Sequence, residues 1–308
     1  MGTSGKFFRR NPMINKNEKP CIICVAITGS VPRKENNPNL PITISEQVES
    51  AQESFELGAS IVHCHVRNDD ETTTSSPERF ALLLENLRKF CPGMIIQFST
   101  GGRSGIGKER GGMLRLGPDM ASLTVGSNNF PNRVYENPPD LIHWLANEMV
   151  KYNIKPEIEV FDLSHIHQAS NLFKNQEILK TPYVQFVMGV KNAMPADKDV
   201  FDYYVRTVNR LLPQSEWCAA GIGANQIIVN EWCVSQGGHT RTGLEDNIKL
   251  DRNTLAPSNA SLVKRVVEIC EKSKEENPQL NSKLILDYED FLNKLANTEV
   301  GNNKHINT

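Results

Sequence analysis

Short, unbroken apolar runs alternate with amphipathic stretches along most of the chain. The first run, residues 21–27, is too short for most helices and ends in Thr28-Gly29-Ser30, so it reads as a fully buried strand opening into a loop. A Pro- and Asn-rich loop leads to Thr43-Ile44-Ser45-Glu46, a capping-box pattern, after which Ile44, Val48, Ala51 and Phe55 share one helical face and Gly58 follows the last turn. Residues 59–66 make a second strand, and Ser76-Pro77-Glu78 caps a helix carrying Phe80, Leu83, Leu84 and Leu87. Strands are predicted at 94–98, 120–125, 158–161, 183–188, 216–220 and 239–244. Helices are predicted at 138–152, from the N-cap Ser164 onward, and at 199–212, 226–234 and 258–272.

Eight strands with helices between them are read as eight strand-helix units. Parallel strands need crossovers of this kind, and eight units is the number that closes, so the fold class is α/β, a TIM (β/α)8 barrel with N- and C-terminal extensions. An open doubly wound sheet is the alternative. No Gly-x-Gly-x-x-Gly follows the first strand and no Gly-x-x-x-x-Gly-Lys-Ser/Thr occurs, which weakens nucleotide-binding sheets. The organisation is a flexible N-terminal tail at 1–19, a barrel at 20–275, and at 276–308 one helix near 284–295 followed by a polar tail.

Charge and composition narrow the partners. The 308 residues carry 34 basic and 36 acidic side chains, net −2, with no block of one sign, which points away from nucleic acid and membrane surfaces and toward small molecules. Lys6, Arg9, Arg10, Lys16 and Lys19 precede no apolar signal-peptide core, and no run is long enough to span a bilayer, so the expected location is cytoplasmic. The seven cysteines sit mostly in apolar runs. Cys21 and Cys24, three apart in one strand, face opposite sides and read as buried small hydrophobes.

The strand ends hold the candidate chemistry. In Val62-His63-Cys64-His65-Val66 the two imidazoles share a face, half of a metal site, with polar Arg67-Asn68-Asp69 following. A lone strand histidine is ordinarily a satisfied core residue; for a pair at a strand end, that reading and a metal site weigh about equally. Glu245, after the eighth strand, is the best third ligand, because the second and eighth strands both flank the first. Otherwise it is a surface carboxylate at a helix start. His-His-Glu without a thiolate fits Zn²⁺, with Co²⁺, Ni²⁺, Mn²⁺ or Fe²⁺ as alternatives. Other strand ends offer Ser99 with the Gly101-Gly102 amides, Ser122 and Thr124, Glu157 and Glu159, and an Arg241–Asp246 pair in which the aspartate is a base tuned by the guanidinium. His165 and His167, in a helix start, face away from each other, and His239 falls at the bottom of the barrel, a structural place. Arg103, Lys108, Arg110 and Arg115 read as a solvated basic loop, with contact to phosphates the alternative.

Taken together, Ala26-Ile27-Thr28-Gly29, Asn39-Leu40-Pro41-Ile42-Thr43, Val62 to Arg67, Gln97 to Gly102, Pro156 to Val160, and Gly237-Gly238-His239 through Asn247 resemble the β-keto acid cleavage enzymes over roughly residues 21–272. The resemblance implies a metal-dependent barrel that converts a β-keto acid and acetyl-CoA, its co-substrate, into acetoacetate and a new acyl-CoA. It implies Zn²⁺ on His63, His65 and Glu245, and Ser99, Gly101, Gly102 and Ser122 around the substrate carboxylate. It further implies Glu159 in the pocket, Arg241 and Asp246 as the acid/base dyad, and a homo-oligomer, a tetramer favoured. Two positions depart from the pattern. Val31 stands where enzymes for amine-bearing substrates carry an acid, so a neutral or apolar β-keto acid is expected, and Ser122 replaces a common threonine while keeping the hydroxyl. A metal-dependent aldolase or hydrolase without CoA, and a non-catalytic metal-binding barrel, are the competing functions.

Overall fold

The computed structural model describes residues 19–178, 181–276 and 282–284. Eight parallel strands, β1 (Ile23–Ala26), β2 (Ile61–Cys64), β3 (Ile95–Phe98), β4 (Met120–Thr124), β5 (Lys155–Val160), β6 (Tyr183–Met188), β7 (Trp217–Gly221) and β8 (His239–Thr242), close into a barrel in chain order. The helices α1 (Ile44–Glu56), α2 (Pro77–Phe90), α3 (Pro139–Lys151), α4 (Leu163–Lys174), α5 (Lys198–Leu211), α6 (Gln226–Ser235) and α7 (Asn259–Glu276) are threaded between and after them. The capping box at Thr43 and Glu46 forms, and Ser76 accepts the amide of Arg79 at the start of α2.

Alternation along the strands divides the core in two. Ile23, Val25, Val62, Ile96, Leu123 and Phe186 face the helices, while Cys24, Ile61, Ile95, Met120, Tyr183 and Cys218 close the barrel floor. Two residues further along the strands, His63, Gln97, Ser122, Glu157, Gln185 and Arg241 are buried above that floor. Polar groups in such a layer call for partners; Gln185 Nε2 donates to Glu157 Oε1 at 3.0 Å, while Gln185 Oε1 and Glu157 Oε2 have no hydrogen-bond partner among the described residues. The fold thus sets ionisable groups directly under the C-terminal mouth.

Four expectations need correction. Between β3 and β4 two 3-10 turns, Gly107–Gly111 and Leu114–Leu116, take the place of a helix, because five glycines from Gly105 to Gly117 weaken α-helix there. Helix α4 is capped by Asp162, whose carboxylate accepts the Ser164 amide, so Ser164 lies inside the first turn. β5 begins at Lys155, with Pro156 tolerated near its start. Lys19–Cys21 is a short strand parallel to Ser282–Leu284, so Cys21 stands outside the first barrel strand and Leu284 lies in a strand where a helix was expected to begin. The rest of the N-terminal tail and the helix beyond Leu284 lie outside the described residues. Two antiparallel pairs, Val66–Arg67 with Thr73–Thr74 and Asn128–Phe130 with Arg133–Tyr135, were too short to show a period of two in the sequence.

Candidate active site

His63 points into the barrel beside Gln97, its register partner on β3. Its Nδ1 donates to the Gln97 amide oxygen at 2.5 Å, which fixes the tautomer and turns the Nε2 lone pair toward His65 and Glu245. Burial pushes the His63 pKa down to about 3 against the opposing pull of Glu245, so the ring is neutral, the form in which imidazole binds metal. His65 follows just beyond the strand, and its Nε2 is 3.3 Å from His63 Nε2. Glu245 Oε1 lies 3.7 Å from the first nitrogen and 3.4 Å from the second.

Strand order explains how a residue far along the chain reaches the histidines. β8 pairs with β1 and β1 with β2, and the Glu245 amide donates to the Ala26 carbonyl at 3.1 Å. Gly29 has φ +64°, and a Cβ there would sit 2.5 Å from Glu245 Cγ, so only glycine admits the carboxylate. Burial opposes ionisation of Glu245, but Arg241 and the two imidazoles outweigh it and hold the pKa well below the usual range. Its Oε1 accepts from Arg241 Nη2 at 2.7 Å, while Oε2 is buried with no hydrogen-bond partner among the described residues. Three ligand atoms within 4.8 Å of one another, a neutral ring and an orphaned carboxylate oxygen are what a divalent cation fits.

Arg241 also grips Asp246, Nε to Oδ2 at 2.8 Å and Nη2 to Oδ1 at 2.9 Å. Burial raises the Asp246 pKa despite that guanidinium. A cavity of ≈ 480 Å³ opens over His65, Glu245, Arg241 and Asp246 and is bounded across the mouth by Ser99, Gly101, Gly102 and Glu159. Ser99 Oγ accepts the Gly101 amide at 3.2 Å. Ser122 and Thr124 stand behind this wall. Ser122 Oγ accepts the Thr100 amide at 3.1 Å, fixing the loop, and Thr124 Oγ1 donates to Glu159 Oε2 at 2.6 Å. Burial raises the Glu159 pKa. Val31 lines the outer edge, 63% exposed.

Some residues that build the site escaped sequence reasoning. Tyr135, at the end of the Asn128–Tyr135 hairpin, hydrogen-bonds Thr124 at 3.1 Å, and Arg110 Nη2 reaches the Tyr135 hydroxyl at 3.3 Å. Arg110 is buried, and donates to the Thr100 and Glu136 carbonyls and to Asn137. It is therefore neither solvated nor free for a phosphate, a correction to the basic-loop reading. Arg67 is likewise buried and ties down the first loop through the Gly29 and Pro32 carbonyls. The Pro131-Asn132 turn in the hairpin was the one local signal for Tyr135; burial of the arginines had none. His165 is buried, its Nδ1 accepting the Phe161 amide at 3.2 Å, while His167 is exposed. His239 stacks on Tyr183 at the barrel floor and accepts the Ile22 amide, a structural role. All seven cysteines are free and buried.

A sequence profile of the β-keto acid cleavage enzymes matches residues 20–279. The chain belongs to the β-keto acid cleavage enzyme family. Similar curated proteins include 3-oxoadipate:acetyl-CoA acetyltransferase of Cupriavidus necator, 61% identical over 82% of this chain and 89% of the relative. The 3-keto-5-aminohexanoate cleavage enzyme of Acetoanaerobium sticklandii is 37% identical over 82% of this chain and 92% of that one. Among solved structures, ObcA without ligand superposes with a TM-score of 0.71 at 17% identity, covering 84% of this chain and 66% of that chain, a likeness of fold. As a β-keto acid cleavage enzyme, the chain carries its His-x-His pair and Glu245 at the mouth of a closed barrel, on the face where such barrels place catalysis. Among the described residues, no helix is long and apolar enough to cross a membrane.

Proposed function

We propose that this enzyme condenses a β-keto acid with acetyl-CoA and releases acetoacetate and a new acyl-CoA, with 3-oxoadipate as the β-keto acid. The observation that carries the reading is the convergence of His63, His65 and Glu245 with the Arg241–Asp246 pair at one cavity, in a chain 61% identical to an enzyme named for that reaction. Zn²⁺ is the proposed ion on those three ligands; when bound it supplies Lewis acidity that makes the carbon between ketone and carboxylate easier to deprotonate.

The chain's own groups do the rest. Ser99 and the Gly101 and Gly102 amides orient the substrate carboxylate, with Ser122 holding their loop in place. Asp246, its pKa raised by burial and its carboxylate steered by Arg241, takes the proton from that carbon. The carbanion attacks the acetyl carbonyl and the CoA thiolate leaves. That thiolate adds to the original ketone carbon, the bond between ketone carbon and carbanion carbon breaks, and the acetoacetate carbanion recovers the proton from Asp246. Arg241 and Glu159, the latter held by Thr124, flank the developing charges. From 3-oxoadipate the balance gives succinyl-CoA and acetoacetate.

Incubating metal-loaded protein with 3-oxoadipate and acetyl-CoA should yield the two products one to one, and only when both substrates are present. Acetoacetate formed without acetyl-CoA, or no turnover at all, refutes the assignment. A homo-oligomer, tetramer favoured, a cytoplasmic location and a barrel domain at 20–275 between tails complete the proposal. Light scattering, cell fractionation and limited proteolysis test them in turn.

A further inference from the structure

Charge in the cavity is distributed unevenly. Its lining carboxylates are Glu159, Glu245 and Asp246, and its lining cations are Arg241, Arg103 and Arg133. Arg241 is engaged by two of the carboxylates. With a divalent ion on the histidines, the three carboxylates are balanced by that ion and Arg241. Arg103 and Arg133 then remain as two charges that no carboxylate among the described residues lining the cavity compensates.

The two come from different loops and meet beside Gly102. Arg103 directly follows Gly102, with its guanidinium carbon 5.7 Å from the Phe130 ring centroid. Arg133, from the hairpin opposite, donates to the Gly102 carbonyl at 3.0 Å. Neither makes an ion pair with a carboxylate among the described residues, in contrast to Arg79, Arg88 and Arg241. Partial burial and the neighbouring Arg133 charge both push the Arg103 guanidinium down, so the two repel, and an anion between them relieves that cost. Guanidinium forks match carboxylate geometry better than any other side chain does.

We propose that Arg103 and Arg133 together bind the second carboxylate of a β-keto dicarboxylic acid, and so decide that the substrate is a dianion. The proposal rests on the acyl-transfer reading above and adds to it the residues that select the tail. It replaces the expectation, drawn from Val31, of an uncharged tail. A valine there declines an ammonium group, and it also leaves the arginines without an internal anion, which keeps the rim positive. In 3-oxoadipate the second carboxyl carbon is three bonds beyond the ketone, separated by two methylenes that Val31 and Phe130 can cover.

The test is a binding measurement that needs no turnover. Calorimetry compares 3-oxoadipate with 3-oxohexanoate, which has a methyl in place of the distal carboxylate, on metal-loaded wild type, Arg103→Gln, Arg133→Gln and the double variant. Wild type should prefer the dianion by about 100-fold, each single variant should lose roughly 10-fold of that preference, and the double variant should lose nearly all of it. Arg103→Lys should restore part of it. In turnover, KM for 3-oxoadipate should rise more than kcat falls. Equal weakening of both ligands would overturn the proposal, since the arginines would then hold the carboxylate the two ligands share. A raised KM for acetyl-CoA with the dianion preference intact would also overturn it, placing them on CoA phosphates. A wild type without dianion preference does the same. A wild type that prefers the dianion but makes no acetoacetate sinks the acyl-transfer reading and leaves the arginine site standing.

Discussion

The two sides of the barrel mouth treat charge differently. On the β8–β1–β2 side the charged groups answer one another inside the chain: Arg241 holds Asp246 and Glu245, and Glu245 faces the histidine pair. On the β3–β4 side, Arg103 and Arg133 face the cavity without a carboxylate partner among the described residues. The first arrangement is preorganised, its geometry set before a ligand arrives, which suits bond making. The second leaves a charge for the ligand to satisfy, which suits selection. On the proposed reading, one rim serves chemistry and the other recognition.

The strongest way to break this comparison is at the preorganised side. His63→Ala should remove bound metal and lower turnover by about 10³-fold or more, measured by metal analysis beside acetoacetate formation. An active, metal-bearing variant would end the assignment. Asp246→Asn should separate metal from proton transfer, with kcat falling roughly 10²- to 10⁴-fold while metal content is unchanged. Loss of metal in that variant would instead assign Asp246 to the ion's surroundings. Gln97→Ala frees the His63 ring from the hydrogen bond that fixes its tautomer and should weaken metal affinity by about 10- to 100-fold in a chelator competition. Unaltered affinity would mean that packing alone orients the ring.

A separate effect, on stability and not on turnover, concerns the layer beneath both sides. Burial pushes the Glu157 pKa up to about 7. The unfolded chain gives up this proton near the ordinary glutamate value, around pH 4.5, and the folded chain only near 7. The folded state therefore binds more protons in between, and stability should fall as pH rises through that window, by on the order of 3 kcal/mol, then level off above it. Glu157→Gln should flatten this slope in denaturant titrations at several pH values; an unchanged slope would assign it to other groups.

Much of this was legible from the chain alone. The barrel follows from apolar runs of strand length separated by amphipathic helices, a signal that each segment carries without its neighbours. The His63–His65 pair is legible for the same reason, since a spacing of two in a strand fixes a common face. Glu245 needed one further step, strand order, which closure in sequence supplies. The hairpin at Asn128–Tyr135 and the 3-10 turns after β3 were missed because elements of three to five residues are too short for periodicity to register.

What no local pattern could reveal is which charges are compensated. Arg67, Arg103, Arg110, Arg133 and Arg241 are the same residue type in five polar stretches of sequence. Folding buries Arg67 and Arg110 against backbone carbonyls, gives Arg241 two carboxylates, and leaves Arg103 and Arg133 at the cavity. Periodicity is a property of neighbours in the chain, and it determined the barrel and its strand-end histidines. Desolvation and charge balance depend on neighbours in space, so only the tertiary structure decided which residues converge at the cavity and which of its described charges find partners within the chain.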